Sequence, residues 1–169
     1  MRRGKLKIGD VFTIPLDTER VGFGQAVDLF ERKCFLLVVF TAIAPVSDAI
    51  DVEGIASSAD LSLIGSSFDA KVHVGDWTVV GNTTPRPGLP RPAYKEVVGT
   101  PDRVDVVDFS GSMRRIATSV EIQLLTFRSM VAPVRLENAL KALHGLAEWH
   151  DEYDKLLPEN VVSSARVFV

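Results

Sequence analysis

Three histidines, His73, His144 and His150, are the side chains suited to moving protons near neutral pH. His144 and Glu148 stand four residues apart, one turn of a helix, with Asp151 close behind. Such a trio could relay a proton or ligate a metal. The same spacing arises on any solvated helix face, and it equally suits contact with a partner. His73 lies between two valines and reads as a solvent-facing or satisfied histidine. Cys34 is the only cysteine, so no disulfide can form within the chain. It heads the apolar run Cys34-Phe-Leu-Leu-Val-Val-Phe, which predicts a small buried hydrophobe in a reducing compartment, hence a cytoplasmic protein.

Other chemistries find little support. Gly22-Phe-Gly-Gln25 has glycines but no lysine and no following helix, so it is not a phosphate loop. Gly111-Ser-Met lacks the flanking pattern of a nucleophile elbow. Trp77 and Trp149 are not interleaved with basic residues, as nucleic-acid stacking platforms are, and read as core or rim anchors. A formal net charge of −3 supplies no basic footprint for nucleic acid. The basic start Met1-Arg-Arg-Gly-Lys-Leu-Lys is followed by no apolar stretch, and the run Cys34–Val46 is too short to span a bilayer. No enzyme, metal, cofactor, nucleic-acid or membrane assignment follows from these residues.

The elements that must position these side chains read as α+β. With 169 residues, 46% of them hydrophobic and 24% charged, the chain fits one domain, 1–169. Val11–Leu16 puts Phe12, Ile14 and Leu16 on one face, and Pro15 predicts a sheet edge. Gly22–Val27 predicts a neighbouring strand with a bulge or tight bend at its glycines. Phe35–Ala44 is apolar on both faces and predicts a central strand. Residues 47–67 are ambiguous. Lys71–Val74, Thr78–Val80, Val104–Phe109 and Ile116–Phe127 read as further strands, and the last ten residues as a closing one. Four prolines between Thr83 and Pro92 predict an extended connector, with a PxxP-type ligand as the alternative.

One long helix is predicted over Pro133–Leu157, with Pro133 in its first turn and Pro158 beyond its end. Leu136, Ala139, Leu143, Leu146, Tyr153 and Leu157 form its apolar stripe. Glu137, Lys141, His144, Glu148, Asp151 and Lys155 line the opposite face, with Glu137 and Lys141 spaced as an i,i+4 pair. His150 then falls within the apolar stripe: a core histidine, a functional one, or a sign that the helix bends at Gly145. The predicted architecture is a strongly bent, partly barrel-like antiparallel sheet with this one long C-terminal helix packed on it.

Three segments together resemble a family of bacterial polymorphic-toxin immunity proteins, immunity protein 26. They are Lys7-Ile-Gly-Asp-Val-Phe-Thr-Ile-Pro-Leu16 continuing to Arg20–Gln25, then Gly75-Asp-Trp-Thr-Val-Val-Gly-Asn82 with the proline-rich connector, and then Pro133–Lys155. The resemblance implies a protein that neutralises a co-produced toxin, often nuclease-like, by binding and without catalysis. Asp10, Trp77, His144, Gly145, Glu148, Trp149 and Tyr153 fall on motif positions, to hold the fold or to touch the toxin. The face proposed for the toxin domain is the polar stripe, His144, Glu148, Asp151 and Lys155. Glu148, Asp151, Glu152 and Asp154 could meet the basic cleft of a nuclease. The rival readings are a small barrel enzyme acting on RNA, since Gly9-Asp-Val-Phe with a bent hairpin also resembles SH3-like barrels, and a ligand- or nucleic-acid-binding module.

Overall fold

The computed structural model describes residues 4–169; Met1-Arg-Arg, the most basic part of the chain start, lies outside them. In chain order the first elements are strands β1 (Asp10–Pro15), β2 (Arg20–Phe30) and β3 (Cys34–Pro45), helix α1 (Val52–Ser58) and strand β4 (Leu61–Ser67). Helix α2 (Ala70–Val74) and strand β5 (Thr78–Asn82) follow. Next come strands β6 (Tyr94–Val97), β7 (Val104–Val107) and β8 (Arg114–Ile116) and helices α3 (Ser119–Leu124), α4 (Pro133–Leu143) and α5 (Ser164–Val167). Two 3₁₀ turns, Asp151–Leu156 and Pro158–Asn160, lie between α4 and α5.

These elements form two compact units. The first joins the chain up to Leu89 with Met130–Asn160, and the second joins Pro90–Ser129 with Val161–Val169. The first unit is an antiparallel five-stranded sheet in the order β4-β3-β2-β1-β5. The sheet is open and not closed into a barrel. Phe12, Ile14 and Leu16 are buried together, as their alternation requires. Cys34–Phe40 are all buried, which fits an inner strand with two apolar faces. Cys34 is indeed buried, as a thiol in no disulfide.

Pro15 does not mark an edge strand, because β1 pairs with β2 on one side and β5 on the other. The β5 pairing covers only Asp10–Thr13, so the missing proline donor falls beyond it. The bulge expected at the glycines of β2 is present, at Gly22/Gly24, and a second irregularity follows at Ala26/Asp28. Gly24 has a packing reason as well: a Cβ there would meet the Phe12 ring at 2.6 Å. Helix α4 reaches the sheet at another glycine, since a Cβ on Gly22 would meet Leu140 Cδ2 at 2.6 Å.

The long C-terminal helix is not found. Helix α4 begins at Pro133 as predicted but ends at Leu143. Gly145 adopts φ +71°, its amide donates to the Ala142 carbonyl, and the Leu146 amide donates to the Lys141 carbonyl at 2.9 Å. This pair of bonds is a Schellman termination, which satisfies the last carbonyls and turns the chain away. The apolar stripe breaks with it: Leu136, Ala139 and Tyr153 are buried, whereas Leu143 and Leu146 are each 43% exposed. His150 lies outside the core, exposed and edge-on to the Tyr153 ring at 5.4 Å.

The second unit is a three-stranded antiparallel sheet, β6-β7-β8, over a small core of Ala93, Val106, Ala117 and Leu125. The strand predicted over Ile116–Phe127 ends at Ile116. Thr118 and Glu121 form a capping box that starts α3. Their reciprocal side-chain bonds satisfy two free amides at once, which favours a helix over continued strand. The closing strand predicted at the chain end is instead α5, and Lys71–Val74 lies in α2, stopped by left-handed Gly75. The ambiguous stretch 47–67 resolves into α1 and β4. Thr83–Pro92 has no regular element beyond an isolated bridge at Pro92.

Candidate partner-binding site

Of the residues singled out from the sequence, His144, Gly145, Glu148, Trp149, Asp151, Tyr153 and Lys155 lie in the first unit where α4 gives way to the 3₁₀ turn Asp151–Leu156, and Asp10 and Trp77 lie elsewhere in that unit. That turn is anchored from below. Tyr153 and Leu156 are buried, and Trp149 packs its edge against Tyr153 at 5.3 Å and 82°. Trp149 Nε1 donates to Asp154 Oδ1 at 2.9 Å, and Asn160 Nδ2 donates to the Asp154 carbonyl at 2.8 Å. Arg135 of α4 pairs with Glu152 at 3.2 Å. Two aromatic side chains, one buried and one half-buried, thus hold a short acidic segment in place.

On this base Glu148, Asp151 and Lys155 are exposed, and no hydrogen bond or ion pair among the described residues engages their side chains. His144 is half-buried at the end of α4. The four residues do not form one helical stripe. His144 caps a helix, Glu148 lies in irregular chain, and Asp151 and Lys155 lie in a 3₁₀ turn. With three residues per turn, Asp151 stands above Asp154, and Lys155 is rotated by about a third of a turn. Glu148, Asp151 and Lys155 share exposure on one anchored segment, with Leu143 and Leu146 as exposed apolar residues beside them.

Three of the motif positions are buried. Asp10 is buried, accepting from the Lys7 amide at 2.9 Å and from Asn82 Nδ2 at 2.9 Å. Tyr153 belongs to the core. Trp77 is buried, stacked on Phe12 at 5.1 Å and 4°, and its Nε1 donates to Glu137 Oε2 at 2.9 Å.

Glu137 is the residue sequence reasoning misplaced. The helical pattern puts it on the polar face, yet it is only 8% exposed. Lys141 Nζ donates to it at 2.9 Å, Lys71 Nζ lies 3.5 Å away, and Lys71 is also bonded to Asp76 at 2.9 Å. Burial works to raise the pKa of Glu137. The bonds from Lys141 and Trp77, with the charges of both lysines, outweigh it and hold the carboxyl below its ordinary value. A carboxylate held ionised and fully bonded is an acceptor that ties α4 to the strand side of the core, and not a proton donor. The i,i+4 spacing of Glu137 and Lys141 was visible in the sequence. The arrival of Trp77 from sixty residues away was not.

No family model, curated protein or solved structure matches the chain.

Among the described residues, no group of three or more His, Cys, Asp or Glu side chains is placed to hold a metal ion. No helix of the described residues is long and apolar enough to cross a membrane. An open cavity of about 220 Å³, lined by Glu53, Ala56, Ser57, Thr83, Thr84 and Arg86, contains none of the sequence candidates.

Proposed function

We propose that this protein is a cytoplasmic immunity protein, which neutralises a cognate bacterial toxin domain by binding it and performs no catalysis. The observation that carries the reading is the anchored acidic segment after α4. Glu148 and Asp151 project from it without partners among the described residues, beside exposed Leu143 and Leu146. Apolar contacts flanked by unpaired charges are the composition of a protein-binding surface. Fixing the segment beforehand through Trp149 and Tyr153 lowers the ordering cost of association. Carboxylates that give up no internal ion pair are free to meet a basic cleft, such as that of a nuclease-type toxin.

The test is growth rescue against the cognate toxin, with a melting curve for each variant. Reversing both charges, Glu148→Lys with Asp151→Lys, should leave the melting temperature unchanged and abolish protection. Association in solution should slow by about tenfold or more, with a weaker salt dependence. Full protection by the stably folded double variant would remove the binding role from this segment.

A further inference from the structure

Strand β8 lies at one edge of the second unit's sheet, and all three of its residues are exposed. Its register fixes which backbone groups face outward. The Asp108 amide donates to the Met113 carbonyl, and the Ala117 amide donates to the Val104 carbonyl. Between these two rungs Arg115 sits opposite Val106. In an antiparallel ladder alternate residues turn their amide and carbonyl to the neighbouring strand, so those of Arg114 and Ile116 point away from β7. Among the described residues only the Ile116 carbonyl has a partner there, Arg115 Nη1 at 3.3 Å, and a carbonyl accepts two bonds. The opposite edge of the same sheet is covered: the Lys95 amide donates to the Thr126 carbonyl, and the Ala93 amide to the Val162 carbonyl.

Natural sheet edges are guarded by charge, and β8 has two arginines where a guard would stand. Both are already neutralised. Arg114 bonds Glu96 at 2.7 Å, and Arg115 bonds both carboxylate oxygens of Glu121 at 2.7 and 2.9 Å. Arg115 is also drawn to the Val167 carbonyl at 3.0 Å and lies over the Phe168 ring. What remains at the edge is an unpaired ladder beside Ile116, which is 67% exposed. Such an edge offers no net charge to a nucleic acid or to an acidic or basic protein. A second copy brings the same internally paired arginines and meets no uncompensated charge.

We infer that β8 is a self-docking edge, at which two copies of this chain pair antiparallel about a two-fold axis through Arg115. In that register Arg114 stands opposite the partner's Ile116. The outward amide and carbonyl of each pair with those of the other, four hydrogen bonds in all, and the two small sheets become one. The two-fold axis closes the interface, so the assembly stops at a dimer. This inference is independent of the toxin-binding reading, which concerns the first unit.

The test is light scattering of the full chain over a concentration series, together with amide hydrogen exchange. The mass should rise from that of one chain to twice that value. The Arg114 and Ile116 amides should become protected over the same range, while the Lys95 amide does not change. Ile116→Pro deletes an outward donor and no amide that bonds β7, and should remain monomeric at every concentration, with unaltered circular dichroism. If that variant does not fold, exchange in the unaltered chain decides. A chain that stays monomeric throughout, a dimer whose Arg114 and Ile116 amides exchange as in the monomer, or a folded Ile116→Pro that dimerises normally would each overturn the inference. Protection of those amides only on adding toxin would assign the edge to that partner instead.

Discussion

Trp77 performs two tasks that its neighbours cannot share. Its ring fills the space over Phe12, and its N–H satisfies a buried carboxylate. Trp77→Ala should therefore cost about 3–5 kcal/mol in urea unfolding, the range for emptying a large aromatic site. Removing one donor from Glu137 adds to that cost. In the second unit a pH-dependent contribution comes from Glu121. The bonds from Arg115, with the Thr118 amide, lower its pKa from 4.5 to about 2. A carboxyl depressed on folding stabilises the fold above the unfolded value, and that contribution is lost as pH falls through the folded one. Stability of the second unit should thus decline between pH 4.5 and about 2. Glu121→Gln should flatten that limb of the acid titration and lower stability at neutral pH. An unchanged acid limb would show that the pair contributes nothing.

At the scale of elements, one glycine decides the shape of the C-terminal region. Nothing lies within 4 Å of a Cβ placed on Gly145, so its conformation alone restricts it. Gly145→Ala should cost about 1–2 kcal/mol, the penalty for a left-handed alanine, seen as a lower melting temperature without loss of helix α4. The sequence stripe Leu136 to Leu157 carries on past this point with helical spacing, and periodicity cannot see a backbone sign change. Strands β1 to β3 were legible because alternation and two-sided apolar runs leave few other ways to bury Phe12, Ile14 and Phe35–Phe40. Ile116–Leu124 alternates just as regularly, but Ile116, Val120 and Leu124 are all exposed. The Thr118–Glu121 capping box was the local signal that outweighed the pattern. Of the candidate site, exposure of Glu148, Asp151 and Lys155 was legible from charge. Their placement, Glu148 in irregular chain and Asp151 and Lys155 in a 3₁₀ turn, was not.

Across the whole molecule the two units differ in how much apolar surface they bury. The first has a core built from Phe12, Phe35, Trp77, Leu136, Leu140 and their neighbours, while the second buries fewer large side chains, with Tyr94, Val107 and Phe109 beside Ala93, Val106, Ala117 and Leu125. Local opening follows burial, so native-state hydrogen exchange should be slower for amides of β2 and β3 than for those of β6 and β7. Equal protection in both would mean that the units open only together.

The tryptophan count gives the stacked Trp77 a further consequence, in optics. The chain has two tryptophans, Trp77 and Trp149, and both belong to the first unit. The aromatic residues of the second unit are Tyr94, Phe109, Phe127 and Phe168. Emission excited at the red edge of indole absorption therefore reports on the five-stranded sheet and its acidic segment alone. Within that signal Trp77, sealed from water, contributes blue-shifted light, and half-exposed Trp149 contributes the red side. A change confined to β8 or α3 would leave the spectrum dark to it, while a ligand settling beside Glu148 would recolour it through Trp149.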